Sequence, residues 1–524
     1  MRVGLRAIAS LMAGVALAGC GGGGGGGAGD APPSGIDIPI PVPAPVATPS
    51  PTPTPAPAPP APPPPAPGAL DLLPRIEPYE RVAEAIAPAQ LKSAEGPRPT
   101  PVRVFAEAAP EGVTPGAATS RKPVQIGNRR RVAATADAAG LGALLAWQPS
   151  PAGGQVAALA FVSEGAAALR IGLLIRQLPD EALLRVYAPG AATEAATTGR
   201  EIKARAAAHP SASLAAAAHW LPAVAGPEAV LEIELPPSIS PQAVQLAVPY
   251  VSHLWVAPQS LGTLSTKIGE AGTCNVDATC SPAHADPARS VARMVFVRDG
   301  NSFLCSGTLM ADAPASGRPF FLTAHHCIAD AGAAASLSTY WFYGSSACLS
   351  SLLSSRATPV HGGAALRFTS AETDTTLLEL NTLPPPGTLY SGSVLGAVPL
   401  GTPVTGLHHP QGDLLKLSTG TVFDYMACTV DAAGGSVGCR TADAQGGTDL
   451  AVGWTSGVTE PGSSGSSLFA GIGTRQYVVG QLRGGGSSCS NPTAADVYGR
   501  FDRGYAAGIS ALLGSPATPR ASPK

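Results

Sequence analysis

The chain has no Cys-x2-Cys pair, no basic block beyond Arg129-Arg130-Arg131, and no apolar run long enough to cross a bilayer comfortably. The first absence removes the usual zinc ribbons and knuckles. The second, with a formal net charge of −2 at pH 7 over 524 residues, removes long-range attraction to nucleic acid and anionic lipid. No nucleic-acid partner, metal or other cofactor is expected. The third leaves the first twenty residues as the one membrane-related segment, since their apolar stretch, Ala7 to Ala18, is short for a span. Cysteine is also missing between Cys20 and Cys274, and lysine is scarce late in the chain: after Lys267 only Lys416 and Lys524 remain.

Arg2 and Arg6, the apolar run and Leu17-Ala18-Gly19-Cys20 together resemble a bacterial lipoprotein signal, in which a charged start, a short apolar stretch and small residues precede the cut. That resemblance implies removal of residues 1–19 and acylation of Cys20. Because Gly21 rather than Asp follows, it also implies delivery to the outer membrane or cell surface. The eight cysteines that remain lie between Cys274 and Cys489. An even number in an exported chain points to four disulfides, with the pairing left open by sequence alone.

Composition divides the chain. Residues 20–68, seven glycines followed by a tract rich in proline, cannot bury a core and read as an extended stalk on the order of 100 Å long at ~3.1 Å per residue. Residues 69–267 are rich in alanine, with strand-like runs such as Leu169-Arg-Ile-Gly-Leu-Leu-Ile175. Another strand signal is the alternation of Leu231, Ile233 and Leu235 with Glu232 and Glu234. A small β-rich, sandwich-like domain is expected here, with peripheral helices near Tyr79 to Leu91 and Glu201 to Leu221. It would serve as a pro-region or an accessory domain. From 268 to 512, short apolar runs broken by Gly, Ser, Pro and Asn predict an all-β barrel or sandwich. Residues 513–524 are polar and proline-rich, a disordered tail.

Chemistry concentrates in two stretches of that region. Leu322-Thr-Ala-His-His326-Cys327 offers a histidine able to accept a proton from a serine hydroxyl, which is a weak nucleophile without such a base. His325 would point to the other side of an extended backbone, so the pair is no chelate, and the same holds for His408-His409. Glu460-Pro-Gly462-Ser-Ser464-Gly-Ser466 places glycines around a serine. The backbone can then turn sharply and aim the Gly462 and Ser464 amides at a developing oxyanion.

Several aspartates lie between these stretches. Here the motifs Cys305-Ser-Gly-Thr-Leu309, Leu322 to Cys327, Asp374-Thr-Thr-Leu-Leu-Glu-Leu380, His408-His-Pro-Gln-Gly-Asp413, Thr459 to Ser466 and Gly480-Gln-Leu-Arg-Gly-Gly485 decide. From about Gly269 to Tyr505 the chain resembles the lysyl endopeptidases, a branch of the trypsin-like serine proteases. The resemblance implies a chymotrypsin-like double β-barrel, no cofactor, and protein or peptide substrates. It implies a triad of His326, Asp374 and Ser464, in the chymotrypsin order. It implies disulfides Cys274 to Cys489, Cys280 to Cys348 and Cys305 to Cys327, which leave Cys428 for Cys439. Asp496, before Tyr498-Gly, is implied to bind a cationic P1 side chain, and Leu482, Arg483 and Gly484 to line the substrate strand.

Arg483 stands where the family has a histidine; as a fixed cation near the entrance it would repel a cationic P1 residue, and extending into solvent it would favour acidic subsites, so strict lysine selectivity is not expected and Arg stands as a second P1 residue. Self-processing after Lys267 is expected, releasing the protease domain as a monomer. Ile268-Gly269 resembles the new N-terminus of trypsin, but Ser463 precedes the nucleophile where that mechanism needs an aspartate, so control by an inserted N-terminus is not expected. The rival readings are an inactive protease-like binding module and a surface adhesin.

Overall fold

A computed structural model describes residues 69–81, 98–108, 123–191, 195–207, 218–257, 268–430 and 437–516. The signal segment with Cys20, the stalk, Lys267 and residues 517–524 lie outside these.

The first half is a sandwich of two sheets. One orders Val102–Phe105, Gln155–Val162, Glu228–Leu235, Leu183–Tyr187 and Ala195–Thr198 side by side, with Gln148–Pro149 on its edge. The other carries His219–Trp220 and Val224–Ala225 on Ala168–Gln177, then Gln245–Leu254 and Val124–Arg131. Leu159, Phe161, Leu231 and Ile233 from one sheet pack with Leu169, Ile171, Leu246 and Val251 from the other. That is the alternation the sequence announces. Its polar half is not all solvated, however. Glu232 is buried because its register partner Arg185 donates to it at 2.6 Å and Tyr187 Oη at 2.8 Å.

The second sheet does not stop at the sandwich. Val124–Arg131 also pairs with Asn301–Met310, through Gly127 with Ser302 and Gln125 with Phe303. A Cβ on Gly127 would fall 2.7 Å from His253 O, so this position stays bare. The sheet then runs into seven strands that curl around one core. Their order is Thr358–Val360, Ser338–Trp341, Val291–Arg298, Asn301–Met310, Phe320–Ala324, Thr375–Leu380 and Ala364–Ser370, with Met294, Phe296, Phe321, Trp341 and Leu377 inside. A second barrel closes fully: Arg475–Gly485, Ser467–Ile472, Pro403–His408, Lys416–Val430, Asp449–Ser456 and Asp496–Arg500, whose last strand returns to the first. The molecule is thus all-β, a double barrel behind a sandwich. Four disulfides join Cys274 to Cys489, Cys280 to Cys348, Cys305 to Cys327 and Cys428 to Cys439.

The helix expected from Tyr79 is a correction. Tyr79–Glu80 is a strand on Leu389–Tyr390, and Arg75–Ile76 is a strand on Gly392–Val394; residues 82–91 lie outside the described ones. Tertiary pairing overrides local propensity here. The Tyr79 ring stacks on Tyr390 at 4.8 Å and its hydroxyl reaches Asp312 at 3.1 Å. Leu70 enters the core of the closed barrel and Ile76 that of the other. A strap that precedes the sandwich in sequence therefore completes the barrels in space. Of the helix expected near Glu201, Gly199–Ala207 is helical.

Ile76 is 2 % exposed, so Ile76→Ala should lower the stability of the full-length chain by roughly 2–5 kcal/mol. Urea unfolding measures this; a change within the ±0.5 kcal/mol typical of surface sites would mean that the strap is not part of the barrel core.

Candidate active site

The strand Phe320–Ala324 delivers His325 and His326 to the seam between the barrels. Their side chains diverge, as an extended backbone requires: His325 Nδ1 meets Thr369 Oγ1 at 2.7 Å, whereas His326 Nδ1 meets Asp374 Oδ2 at 2.7 Å. Asp374 also accepts the His326 backbone N–H on Oδ1 at 2.9 Å. This carboxylate therefore holds both the ring and the chain that carries it. Asp374 is 3 % exposed and has φ +52°, a conformation uncommon for a residue with a side chain. The closed barrel braces it: Gln481 Nε2 donates to Thr373 O at 2.9 Å and to Thr375 Oγ1 at 2.8 Å.

Ser464 reaches the same seam on the opposite barrel. Ser306 N–H donates to Ser464 O and Ser306 Oγ–H to Gly462 O, each at 2.9 Å. A Cβ on Gly465 would lie 2.2 Å from Thr323 Oγ1 and 2.7 Å from Ala324 N. The turn thus abuts the strand that ends in His326, and only glycine permits it. Gly462 has φ +94°. Among the described residues the Gly462 and Ser464 amides donate to no protein acceptor, while Ser463 N–H is taken by Glu460 O at 3.0 Å. No hydrogen bond joins Ser464 Oγ to His326 Nε2 among the described residues, and Nε2 lies 3.8 Å from Cys327 Sγ. Such bonds are often long without substrate and tighten with it.

Asp496 sits at the floor of the neighbouring loops, 0 % exposed. Oδ2 accepts from Trp454 Nε1 and Thr459 Oγ1 at 2.7 Å and from Ser487 Oγ at 2.6 Å, and Oδ1 accepts from Ser487 N at 3.1 Å. All four donors are neutral. A Cβ on Gly485 would come within 1.9 Å of Oδ1, so that wall must be glycine.

Arg483 is neither an entrance cation nor a solvent-facing one, which corrects the expectation from sequence. It is 3 % exposed, with Nε donating to Asp449 Oδ1 at 2.6 Å and Nη2 to Glu372 O. Burial pushes the Asp449 carboxyl above its ordinary value against the pull of Arg483. Leu482 points into the closed-barrel core, and its N–H and C=O are taken by Ser466 O and Gly465 N. Gly484 pairs with Val497.

Three residues of the site carried no catalytic reading in the sequence. His408 Nδ1 meets Ser463 Oγ at 2.8 Å and Nε2 meets Ser418 Oγ at 3.0 Å. Ser418 Oγ in turn donates to Val458 O, and Ser463 Oγ accepts from Glu460 N. One buried ring thereby ties both ends of the loop that carries Ser464, and burial lowers its pKa to about 3, keeping it neutral. Asp413 accepts the Gly269 and Ala271 amides, and Glu460 accepts that of Gly272. With the Cys274 to Cys489 bridge, residues 269–274 are laced to the loops around Ser464 and Asp496. The His408-His-Pro-Gln-Gly-Asp413 motif was the available signal. The one described cluster with metal-ligand spacing is Cys305, His326 and Cys327, and its two sulfurs are bonded to each other.

Residues 268–499 match the lysyl endopeptidase C-terminal domain and residues 103–255 the lysyl endopeptidase N-terminal domain. The lysyl endopeptidase of Pseudomonas aeruginosa is 32% identical over 421 residues, covering 77% of this chain and 84% of the relative. Among solved structures, a protease from M. tuberculosis in its active form aligns at 15% identity and TM-score 0.32, over 49% of this chain and 96% of its own. A thermostable serine protease from an extremophilic microorganism aligns at 18% identity and TM-score 0.29, over 44% and 99%. With family domains matched in both the sandwich and the barrels and a 32% identical relative covering 77% of the chain, the chain belongs to the lysyl endopeptidase family of serine endopeptidases.

Proposed function

We propose that the chain is an exported endopeptidase that cleaves proteins or peptides after lysine, with arginine as the alternative P1 residue, through an acyl-enzyme on Ser464. The observation that carries the reading is the doubly held His326–Asp374 pair facing a turn whose Gly462 and Ser464 amides have no acceptor among the described residues. In this mechanism His326 Nε2 takes the Ser464 hydroxyl proton as Oγ attacks the substrate carbonyl. Asp374 keeps Nδ1–H oriented and stabilises the imidazolium. The carbonyl oxygen gains negative charge between the two amides, each such donor being worth ~10²–10³ in rate. His326 then protonates the leaving amine, and a water deprotonated by the same ring hydrolyses the ester.

A buried carboxylate supports the P1 assignment, as does the name of the relative. Asp496 has no cationic partner among the described residues, and the hydroxyls of Thr459 and Ser487, 5 % and 6 % exposed, both donate to it. Each hydroxyl donates to Asp496 and keeps lone pairs for an incoming ammonium. The specificity charge would then act one layer behind the contact. The four disulfides support export to an oxidising compartment; the lipobox at Cys20 and the stalk would hold the enzyme at the outer membrane, from which cleavage after Lys267 would release a monomeric protease.

Sequencing the products of a mixed peptide library tests activity and P1 preference together. Cuts after Lys or Arg that vanish in Ser464→Ala, with fluorophosphonate label on Ser464, are expected; unlabelled Ser464 would leave a binding module. Asp496→Asn should lower kcat/KM for lysyl substrates about 10²–10³-fold while fluorophosphonate labelling, which needs no P1 cation, stays near the parent rate.

His408→Phe cuts the tie between the loop ends and should reduce kcat roughly 10–10²-fold with KM little changed. It also changes acid stability. A histidine whose folded pKa is about 3 binds its proton in the unfolded chain first. Its contribution is therefore present above pH ~6.5 and falls by ~1.4 kcal/mol per pH unit as pH drops toward 3. Urea titrations from pH 7 to 4 should show a shallower decline in His408→Phe than in the parent.

A further inference from the structure

Arg170, on Ala168–Gln177, is 1 % exposed and no carboxylate lies within ion-pair reach of it among the described residues. Its Nε donates to Leu221 O at 3.0 Å and its Nη2 to Ser336 O at 2.7 Å, the latter across the junction from the sandwich to the barrels. Nη1 has no hydrogen-bond partner among the described residues. Carbonyls offer partial charge only, and a buried cation without a counter-ion is costly. Burial accordingly lowers its pKa to about 10.

The same guanidinium lines a cavity of about 200 Å³. Its other walls include Arg205, Glu201 and Thr197 from the sandwich side and His361 and Thr382 from the barrel side. Arg205 reaches across the junction, since a Cβ on Gly362 would lie 3.7 Å from its Nη2. Glu201 is committed elsewhere, accepting from Thr197 Oγ1 at 3.1 Å and Thr198 N at 2.9 Å at the start of its helix. His361, lowered to about 4 by burial and by Arg170, is neutral. Two guanidiniums thus face one carboxylate, with His219 also on the wall, around a space that holds several waters at ~30 Å³ each.

We propose that this cavity is a binding site for a small oxyanion, held between the guanidiniums of Arg170 and Arg205, which fastens the sandwich to the first barrel. The ligand chemistry is that of phosphate, sulfate or a carboxylate. Charge-assisted contacts from two guanidiniums match such an anion and supply the missing counter-charge. Thr197 and Thr382 also stand on the walls, their hydroxyls donating to Glu201 and to His361 O, which leaves the two guanidiniums as the donors to the anion. The site is remote in chemistry from the triad and does not depend on the peptidase reading.

Thermal unfolding of the full-length Ser464→Ala chain, kept intact by that change, tests it. Inorganic phosphate should raise the midpoint saturably relative to sodium chloride at equal ionic strength. Arg205→Gln should weaken the apparent affinity about tenfold or more, and Arg205→Lys should recover part of it. Acetate acting like phosphate assigns the site to carboxylates; acetate failing where phosphate and sulfate succeed assigns it to tetrahedral anions. Equal midpoints in phosphate and chloride, or a phosphate effect untouched in Arg205→Gln, overturns the proposal. Should Arg205→Gln not fold, a saturable phosphate effect in Arg205→Lys of unchanged affinity would overturn it as well.

Discussion

Ser306 is the joint on which this molecule turns. Its N–H and hydroxyl hold Ser464 O and Gly462 O, its Oγ accepts from His409 N, and its carbonyl accepts from Thr323 Oγ1. Two strands of the first barrel and two loops of the second meet on one buried side chain. Groups that act together must be held to within fractions of an ångström, and here the placing of the Gly462–Ser464 turn against the strand that leads to His326 is set by hydrogen bonds to Ser306. Gly465 allows the approach because any Cβ would enter Thr323.

Charge is handled by the same economy of partners. Asp374 is held against His326, with Oδ2 2.7 Å from Nδ1. Arg483 and Asp449 neutralise each other behind it, and the spare Nη2 donor of Arg483 secures the Glu372 carbonyl at the base of the Asp374 turn. A cation that would disturb a basic P1 residue at the entrance is instead spent on architecture. Asp496 and Arg170 are different: each is buried, and neither meets an opposite charge among the described residues. An unmatched buried charge is unfavourable to folding and favourable to a ligand of the other sign.

The sandwich and the barrels are not beads on a string. The strand Val124–Arg131 belongs to both, Val124 and Ile126 share a cluster with Val295, Leu304 and Tyr340, and the strap at Ile76 joins the barrel core from the other side. Separating the halves would expose apolar surface and a row of unpaired strand amides, a hazard that folded proteins usually cover.

The sequence by itself determined the β character, the division by composition and the reactive stretches, because turn-rich apolar runs and a glycine-flanked serine beside a His-Cys pair are local signals. Motif order marked His326, Asp374 and Ser464, which the structure brings to one seam, and the expected partners of all eight cysteines are the ones found. Only the tertiary structure decided that Tyr79 begins a strand, that Glu232 is buried against Arg185, that Arg483 faces inward, and that His408 ties the loop that carries Ser464. Each of these depends on a partner between 34 and 311 positions away, such as Asp449 for Arg483, Ser463 for His408 or Tyr390 for Tyr79. Local composition carries no record of such a neighbour; packing and register choose it when the chain closes on itself.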